Sequence, residues 1–188
     1  GLNVFDGAIR KTYNAPSSSI PSNYLTAVAI DKQNRAWVGT YGAGIARLVG
    51  EAWTREGVAL ANNYINALAL AADGRPWAAT NDGAFFFDGK TWTQFTQANG
   101  LASNRVSSIA VAPDQRVWFG TDNGVTVYDG KTYRSYKKSD GLVDNSVRAI
   151  AADATRVWVG TARGLAVLES GKWKTYTRAD GLADDQIN

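Results

Sequence analysis

Val117-Trp118-Phe119-Gly120-Thr121-Asp122-Asn123-Gly124-Val125-Thr126-Val127-Tyr128 is the stretch on which the fold turns. It reads as two short runs rich in β-branched and aromatic residues, joined by a polar turn that ends in glycine, which is the pattern of two antiparallel strands. Its core, Trp118 to Thr121, recurs as Trp37-Val38-Gly39-Thr40, Trp77-Ala78-Ala79-Thr80 and Trp158-Val159-Gly160-Thr161, at spacings of 40, 41 and 40 residues. An arginine stands two residues before each tryptophan (Arg35, Arg75, Arg116, Arg156), and a glycine follows each threonine after a short turn (Gly44, Gly83, Gly124, Gly164). Strict repetition of this kind within one chain marks an array of equivalent structural units.

Working outward from Trp118, the unit contains four strand-like pieces, A to D. Strand A is Val106 to Val111, strand B Val117 to Thr121, strand C Gly124 to Tyr128 and strand D Thr132 to Tyr136. Asp129-Gly130 joins C to D, and Asp88-Gly89 and Asp6-Gly7 do so in other copies. Asp-Gly between alternating runs predicts a type I′ hairpin, whose two central residues both need positive φ. Between D and the next A lies a longer loop, Asn99 to Asn104, Asp140 to Asn145 and Asp180 to Asp185, with altered copies at Ile20 to Asn23 and Leu60 to Asn63. In it the glycine permits a tight turn, the leucine reads as an apolar plug, and the final Asn or Asp bonds nearby backbone.

A lone four-stranded sheet cannot bury both of its faces. Stacking such sheets radially covers each face with the next blade and leaves little raw edge. No repeat holds ten residues of helical periodicity, which excludes the helical solenoids of similar period. The reading is therefore all-β: a β-propeller of four-stranded antiparallel blades, with about four and a half present. The expected boundaries are a C–D hairpin at 1–14, full blades at 25–56, 65–96, 106–137 and 147–178, and a lead-in to a further blade at 179–188. Small residues at alternate positions of strand A suit the crowded axis, whereas Trp in B and the aromatics Trp53, Trp92, Tyr133 and Trp173 in D suit the wider gaps between blades. The chain is expected to form an open arc, as a portion of a longer propeller or one piece of a multi-chain ring. The lack of a methionine reads as a processed or excised piece.

The order Gly-Leu, Ser-Asn, Val-x-x-Ile, Trp-x-Gly-Thr, Gly-Leu resembles the two-component regulator propeller repeat over nearly the whole chain, with its best copy from Asn99 to Tyr136. The resemblance implies a ring of five to eight blades, seven in the common case. It also implies an extracytoplasmic setting, periplasmic or secreted, in the sensor half of bacterial two-component systems that detect carbohydrates. Related repeats occur in free-standing propellers and in lyases that depend on a histidine base.

Composition narrows the chemistry. The chain of 188 residues is 45% hydrophobic and 20% charged, with a net charge of +3. Lysines and arginines are scattered, so no nucleic-acid footprint is expected, and no apolar run approaches a membrane span. There is no Cys, His or Met. Ser-His-Asp and Cys-His catalysis, thiolate zinc sites and histidine metal sites are thereby excluded. A paired-carboxylate mechanism stays open in principle, but Asp and Glu fall mostly at shared turn positions such as Asp88 and Asp129. The Asp-Gly-Leu-x-Asp loops lack calcium-loop spacing. No catalytic residue, cofactor or metal is expected.

A binding site is expected where equivalent copies differ, because architecture alone favours sameness. Strand direction puts the D–A loops and B–C turns on one face of the ring. The B–C turns carry Tyr41, Asn81, Asp122 and Arg163, and the second residue of strand A, at the mouth of the channel, reads Thr26, Asn66, Ser107 and Arg148. These eight are the candidate ligand residues, in a non-enzymatic module that binds a carbohydrate or other small ligand. The alternatives are a structural subunit that docks a protein partner and, third, a lyase-like enzyme. Replacing Asn66 or Arg148 is expected to weaken binding with little effect on stability. The repeated Trp, Thr and Arg are expected to be structural, the Arg lying over the Trp ring.

Overall fold

The computed structural model describes residues 1–5, 7–8, 10–56 and 64–188. Among the described residues lie 18 strands. A two-stranded hairpin, β1 (Leu2–Phe5) and β2 (Arg10–Tyr13), precedes four four-stranded sheets. Blade 1 comprises β3 (Leu25–Ile30), β4 (Ala36–Thr40), β5 (Ile45–Val49) and β6 (Ala52–Arg55). Blade 2 comprises β7 (Ile65–Leu70), β8 (Pro76–Thr80), β9 (Gly83–Phe87) and β10 (Trp92–Phe95). Blade 3 comprises β11 (Val106–Val111), β12 (Val117–Thr121), β13 (Gly124–Tyr128) and β14 (Tyr133–Tyr136). Blade 4 comprises β15 (Val147–Ala152), β16 (Arg156–Thr161), β17 (Gly164–Glu169) and β18 (Lys172–Tyr176). Every sheet runs antiparallel in chain order, and each Trp-x-Gly/Ala-Thr segment is the second strand of its blade.

Among the described residues there is no single core. Four apolar clusters each join one unit to the next. Tyr13 packs with Val38 and Trp53, Trp37 with Ile65 and Phe85, Trp77 with Val106 and Phe119, and Trp118 with Val147 and Val159. The first strands of successive blades, β3, β7, β11 and β15, lie side by side. The array is a β-propeller with a partial ring.

The repeated motif follows from this stacking. The glycine of Trp-x-Gly-Thr sits where the next blade's first strand presses in: a Cβ on Gly39 would stand 2.5 Å from Ile65 Cγ2, and one on Gly160 2.6 Å from Ile187 Cγ2. Such contact is far inside van der Waals distance, so a side chain at Gly39 or Gly160 would force its neighbour to shift, whereas blade 2 carries a buried Ala79 at this position, in one apolar cluster with Val106. The four threonines are fully buried. Each hydroxyl donates to the glycine carbonyl across the B–C turn at 2.7–2.8 Å. Each also accepts a turn N–H, from Ala43, Asp82, Asn123 or Arg163. A buried hydroxyl with both capacities used carries no desolvation penalty.

The D–A loops open with single 3-10 turns at Gln97–Asn99, Lys138–Asp140 and Arg178–Asp180. Leu101 and Leu142 are buried plugs. The closing Asn or Asp reaches back across its loop: Asn104, Asn145 and Asp185 accept from the N–H of Gln97, Lys138 and Arg178. Asn23 accepts from Ala15 N–H in the same way. The copy at Leu60 to Asn63 lies outside the described residues, as does Asp6 of the first Asp-Gly pair.

Two local expectations are corrected. Gly89 and Gly130 have positive φ but Asp88 and Asp129 do not, so Asp-Gly does not form type I′ turns here. The connection is four residues long, and each carboxylate caps two turn amides, Asp88 those of Lys90 and Thr91, Asp129 those of Lys131 and Thr132. A two-residue turn with both φ positive occurs instead at Ser170-Gly171, between the paired Glu169 and Lys172. The arginines before the tryptophans mostly do not cover them. Arg116 lies 5.9 Å from the Trp118 ring, whereas Arg75 covers Phe86, and Trp37 is covered by Arg47. What Arg35, Arg75, Arg116 and Arg156 share is a carboxylate: Asp31, Asp73, Asp114 and Glu169. A short charged pair fixes a surface guanidinium more firmly than a ring does.

Candidate functional site

The second residue of every first strand is a β-bulge. Pairing jumps from Leu25 to Ala27, from Ile65 to Ala67, from Val106 to Ser108 and from Val147 to Ala149. Thr26, Asn66, Ser107 and Arg148 are therefore the unpaired extra residues. A bulge re-aims its side chain out of the ladder, and here it turns a polar group toward the loop face in each blade.

In three blades these groups converge. Thr26, Asn66 and Ser107 line one open concavity of about 440 Å³ together with Asn81 and Arg105. The side chains are hydroxyl, amide and guanidinium, and among the described residues no carboxylate lines it. Asn66 donates to Asn81 Oδ1 at 3.0 Å and to Val106 O of the next blade at 2.7 Å. The Ser107 hydroxyl lies 3.0 Å from Gly120 O and 2.7 Å from Val147 O of the next blade, sharing its one proton between them. Asn66 and Ser107 thus bridge blades as well as lining the cup. An alanine at either removes such a bond, worth about 1 kcal/mol, so replacing Asn66 is expected to cost some stability whatever it does to binding.

The remaining candidates lie elsewhere. Arg148 Nη1 donates to Asn188 Oδ1 at 2.9 Å. Arg163 is 3.7 Å from Asp144, and Asp122 is exposed on its B–C turn. Tyr41 packs edge-on to Tyr64, with centroids 4.7 Å apart, and its N–H donates to Tyr24 O at 3.0 Å. Tyr24, Tyr41 and Tyr64 are 78%, 67% and 44% exposed. Sequence reasoning missed Arg105, Tyr24 and Tyr64. All three occupy the position just before strand A, where the copies read Tyr24, Tyr64, Arg105, Ser146 and Gln186. Unequal polarity at equal register, the signal used one position later, would have found them.

On the opposite face the C–D turns at Asp88 and Asp129 are closed by local bonds. The Asp129 carboxyl is held down to about 2, first by the N–H of Thr132, then by that of Lys131 and the Thr132 hydroxyl. Among the described residues no group of three or more Asp or Glu side chains is placed to hold a metal ion, and no helix is long and apolar enough to cross a membrane.

Comparison with known proteins bears on the repeat and the fold. A domain named as the extracellular domain of hybrid two component system BT3049 from B. thetaiotaomicron superposes with a TM-score of 0.77 at 21% identity, over 87% of this chain and 24% of that one. Virginiamycin B lyase from Staphylococcus aureus gives 0.73 at 17% identity, over 92% and 61%. PorZ of Porphyromonas gingivalis, a bacterial surface component of the type-IX secretion system, gives 0.71 at 18%, over 97% and 32%. At these identities the likeness is one of fold, and the chain spans a quarter to three-fifths of those proteins' lengths. No curated protein matches. The family model described as two component regulator propeller matches residues 19–42 and 100–123, in each case from the D–A loop through the Trp-x-Gly-Thr strand. Two repeats of the chain thus match the two-component regulator propeller repeat.

Proposed function

We propose that this chain is a non-enzymatic binding module of an extracytoplasmic sensor, with its ligand seated in the loop-face concavity. The observation that carries the reading is the convergence of Thr26, Asn66, Asn81, Arg105 and Ser107, drawn from three blades, on one cup. Hydroxyl, amide and guanidinium groups over a cavity of this size suit a polar small ligand, and a carbohydrate is the class the repeat family implies. The similarity to an extracellular two component system domain supports the sensor setting.

The test separates residues that face the cup from those that also tie blades together. Oligosaccharide panels are screened by melting-temperature shift and followed by calorimetry on Arg105→Ala and Thr26→Val. Both variants should lose affinity and keep the wild-type melting temperature. Retained affinity in both, with loss in Asp129→Ala, would place the ligand on the other face. Hydrolysis or elimination of a screened sugar, lost on replacing one carboxylate, would overturn the non-enzymatic reading.

A second reading, protein docking, is favoured by the exposed Tyr24, Tyr41 and Tyr64. Tyrosines supply rigid contact area at protein interfaces, and PorZ is a propeller named as part of a secretion assembly. Tyr41→Ala abolishing capture of a partner domain while Arg105→Ala leaves it unchanged would favour docking over a small ligand.

A further inference from the structure

Blades 1 and 3 share a turn geometry but differ at one buried position. Asp31 and Ala112 each follow the first strand, each donates its N–H to the arginine carbonyl four residues on, at 3.0 and 2.9 Å, and each stands six residues before the blade's tryptophan. The third residue beyond each, Asn34 and Gln115, has positive φ. In blade 1 the Asp31 carboxylate is fully used. Its Oδ2 accepts from Arg35 Nε at 2.6 Å and from Trp37 Nε1 at 3.2 Å. In blade 3 that carboxylate is absent, and Trp118 Nε1 is buried with no hydrogen-bond partner among the described residues.

A cavity of about 360 Å³ opens between blades 3 and 4 at this point, lined among others by Ala112, Arg116, Trp118, Arg134, Tyr136 and Arg156. It lies on the hairpin face, independent of the loop-face cup. Arg116 and Arg156 hold Asp114 and Glu169 at 2.6 Å. Asp153, which also lines the cavity, is engaged by the N–H groups of Thr155 and Arg156. Arg134 stacks over Tyr136 at 4.8 Å, and among the described residues it has no carboxylate. A buried indole N–H without a partner calls for an acceptor, and a guanidinium lining the same cavity selects an anionic planar one.

We propose that this cavity is a carboxylate-binding site, in which the acid group of a ligand takes the place that Asp31 fills in blade 1, held by Arg134 and Trp118 Nε1–H. Arg116, half-exposed and above the indole, swings aside to admit it. The carboxylate comes from a small organic acid or from a Glu or Asp side chain on a peptide.

The probe is sodium acetate, with N-acetyl-glutamate amide as the peptide-borne form and sodium chloride at matched ionic strength as control. The readout is the indole N–H resonance of Trp118, assigned by its loss in Trp118→Phe. Acetate should move that resonance saturably and chloride should not. Movement by acetate shows that a free acid suffices, and movement by the glutamyl compound alone shows that the acid must be presented on a chain. Ala112→Asp should show the shifted resonance without acetate, melt higher than wild type and no longer titrate. Arg134→Gln should titrate about tenfold more weakly, the loss of one charge-assisted bond, at unchanged melting temperature. A resonance unmoved by both acids, moved equally by chloride, or titrating normally in Ala112→Asp overturns the proposal. If Ala112→Asp does not fold, full-strength titration in Arg134→Gln does so.

Discussion

Trp118 and Trp158 stand at the same register of the same motif, yet only one is buried. Trp118 is fully covered, packed against Val147 and Val159 of blade 4 and stacked near Tyr136. Trp158 is half-buried and lines an open pocket with Leu165, Val167 and Leu182. The loop leucines behave alike, Leu142 being buried and Leu182 half-buried. The difference teaches that a blade's apolar face is stabilised by its neighbour rather than by its own sheet. In a stacked array, stability is a sum over interfaces.

The sharpest way to break that comparison is to truncate both tryptophans. Trp118→Ala should cost about 3–5 kcal/mol, whereas Trp158→Ala should cost about 1–2 kcal/mol because less surface is lost from cover. Equal losses in denaturant unfolding would refute the view that the neighbour supplies the burial. The motif glycine probes the same interface from the other side. Gly39→Ala forces Ile65, which is almost fully buried, and should cost about 1–3 kcal/mol. Gly160→Ala presses on the half-buried Ile187, which has room to give, so its melting temperature should fall less.

Interactions closed within one blade should not depend on its place in the array. Thr121→Val and Thr161→Val each unmake the bonds to a turn carbonyl and a turn amide, and each should cost about 1–2 kcal/mol. A twofold or larger difference between them would show that even the turns are coupled to neighbours. The smallest effect is electrostatic and purely local. Asp129 is charged more readily in the folded chain, its carboxyl lying at about 2 against an ordinary 3.8. Its contribution is therefore present above 3.8 and is lost as pH falls toward 2. Asp129→Asn should remove that part of the acid dependence, and a carboxyl carbon titration of the wild type should have its midpoint near 2. A midpoint at 3.8 or above would sink the assignment.

Much of the architecture was legible because it is written in short-range patterns. The strand runs, the tryptophan register and the threonine at the B–C turn are each set by residues a few positions apart. Which candidate positions lie near one another was legible in part. Thr26, Asn66, Asn81 and Ser107 do meet in one concavity, since unequal residues at equal register mark a surface the fold does not need to fill. Arg105 completes it and was passed over, one position before the strand. The bulge that aims these side chains left no mark that a reading of alternation could catch, because one extra residue in six does not disturb the apolar pattern. The arginine partners were misjudged for a related reason: the carboxylate arrives from the same turn in blade 3 and from the strand opposite in blade 4.

The sequence by itself determined the unit and its repetition, because strand propensity, turn chemistry and a 40-residue period are local properties of the chain. Only the tertiary structure decided which copies of the same residue do the same work. Asn66 reaches Val106, Ser107 reaches Val147 and Arg148 reaches Asn188, each 40 residues away. Trp37 finds Asp31 where Trp118 finds no acceptor. Such pairings depend on what the neighbouring turn or blade presents at about 3 Å, and a period read along one dimension carries no information about that distance.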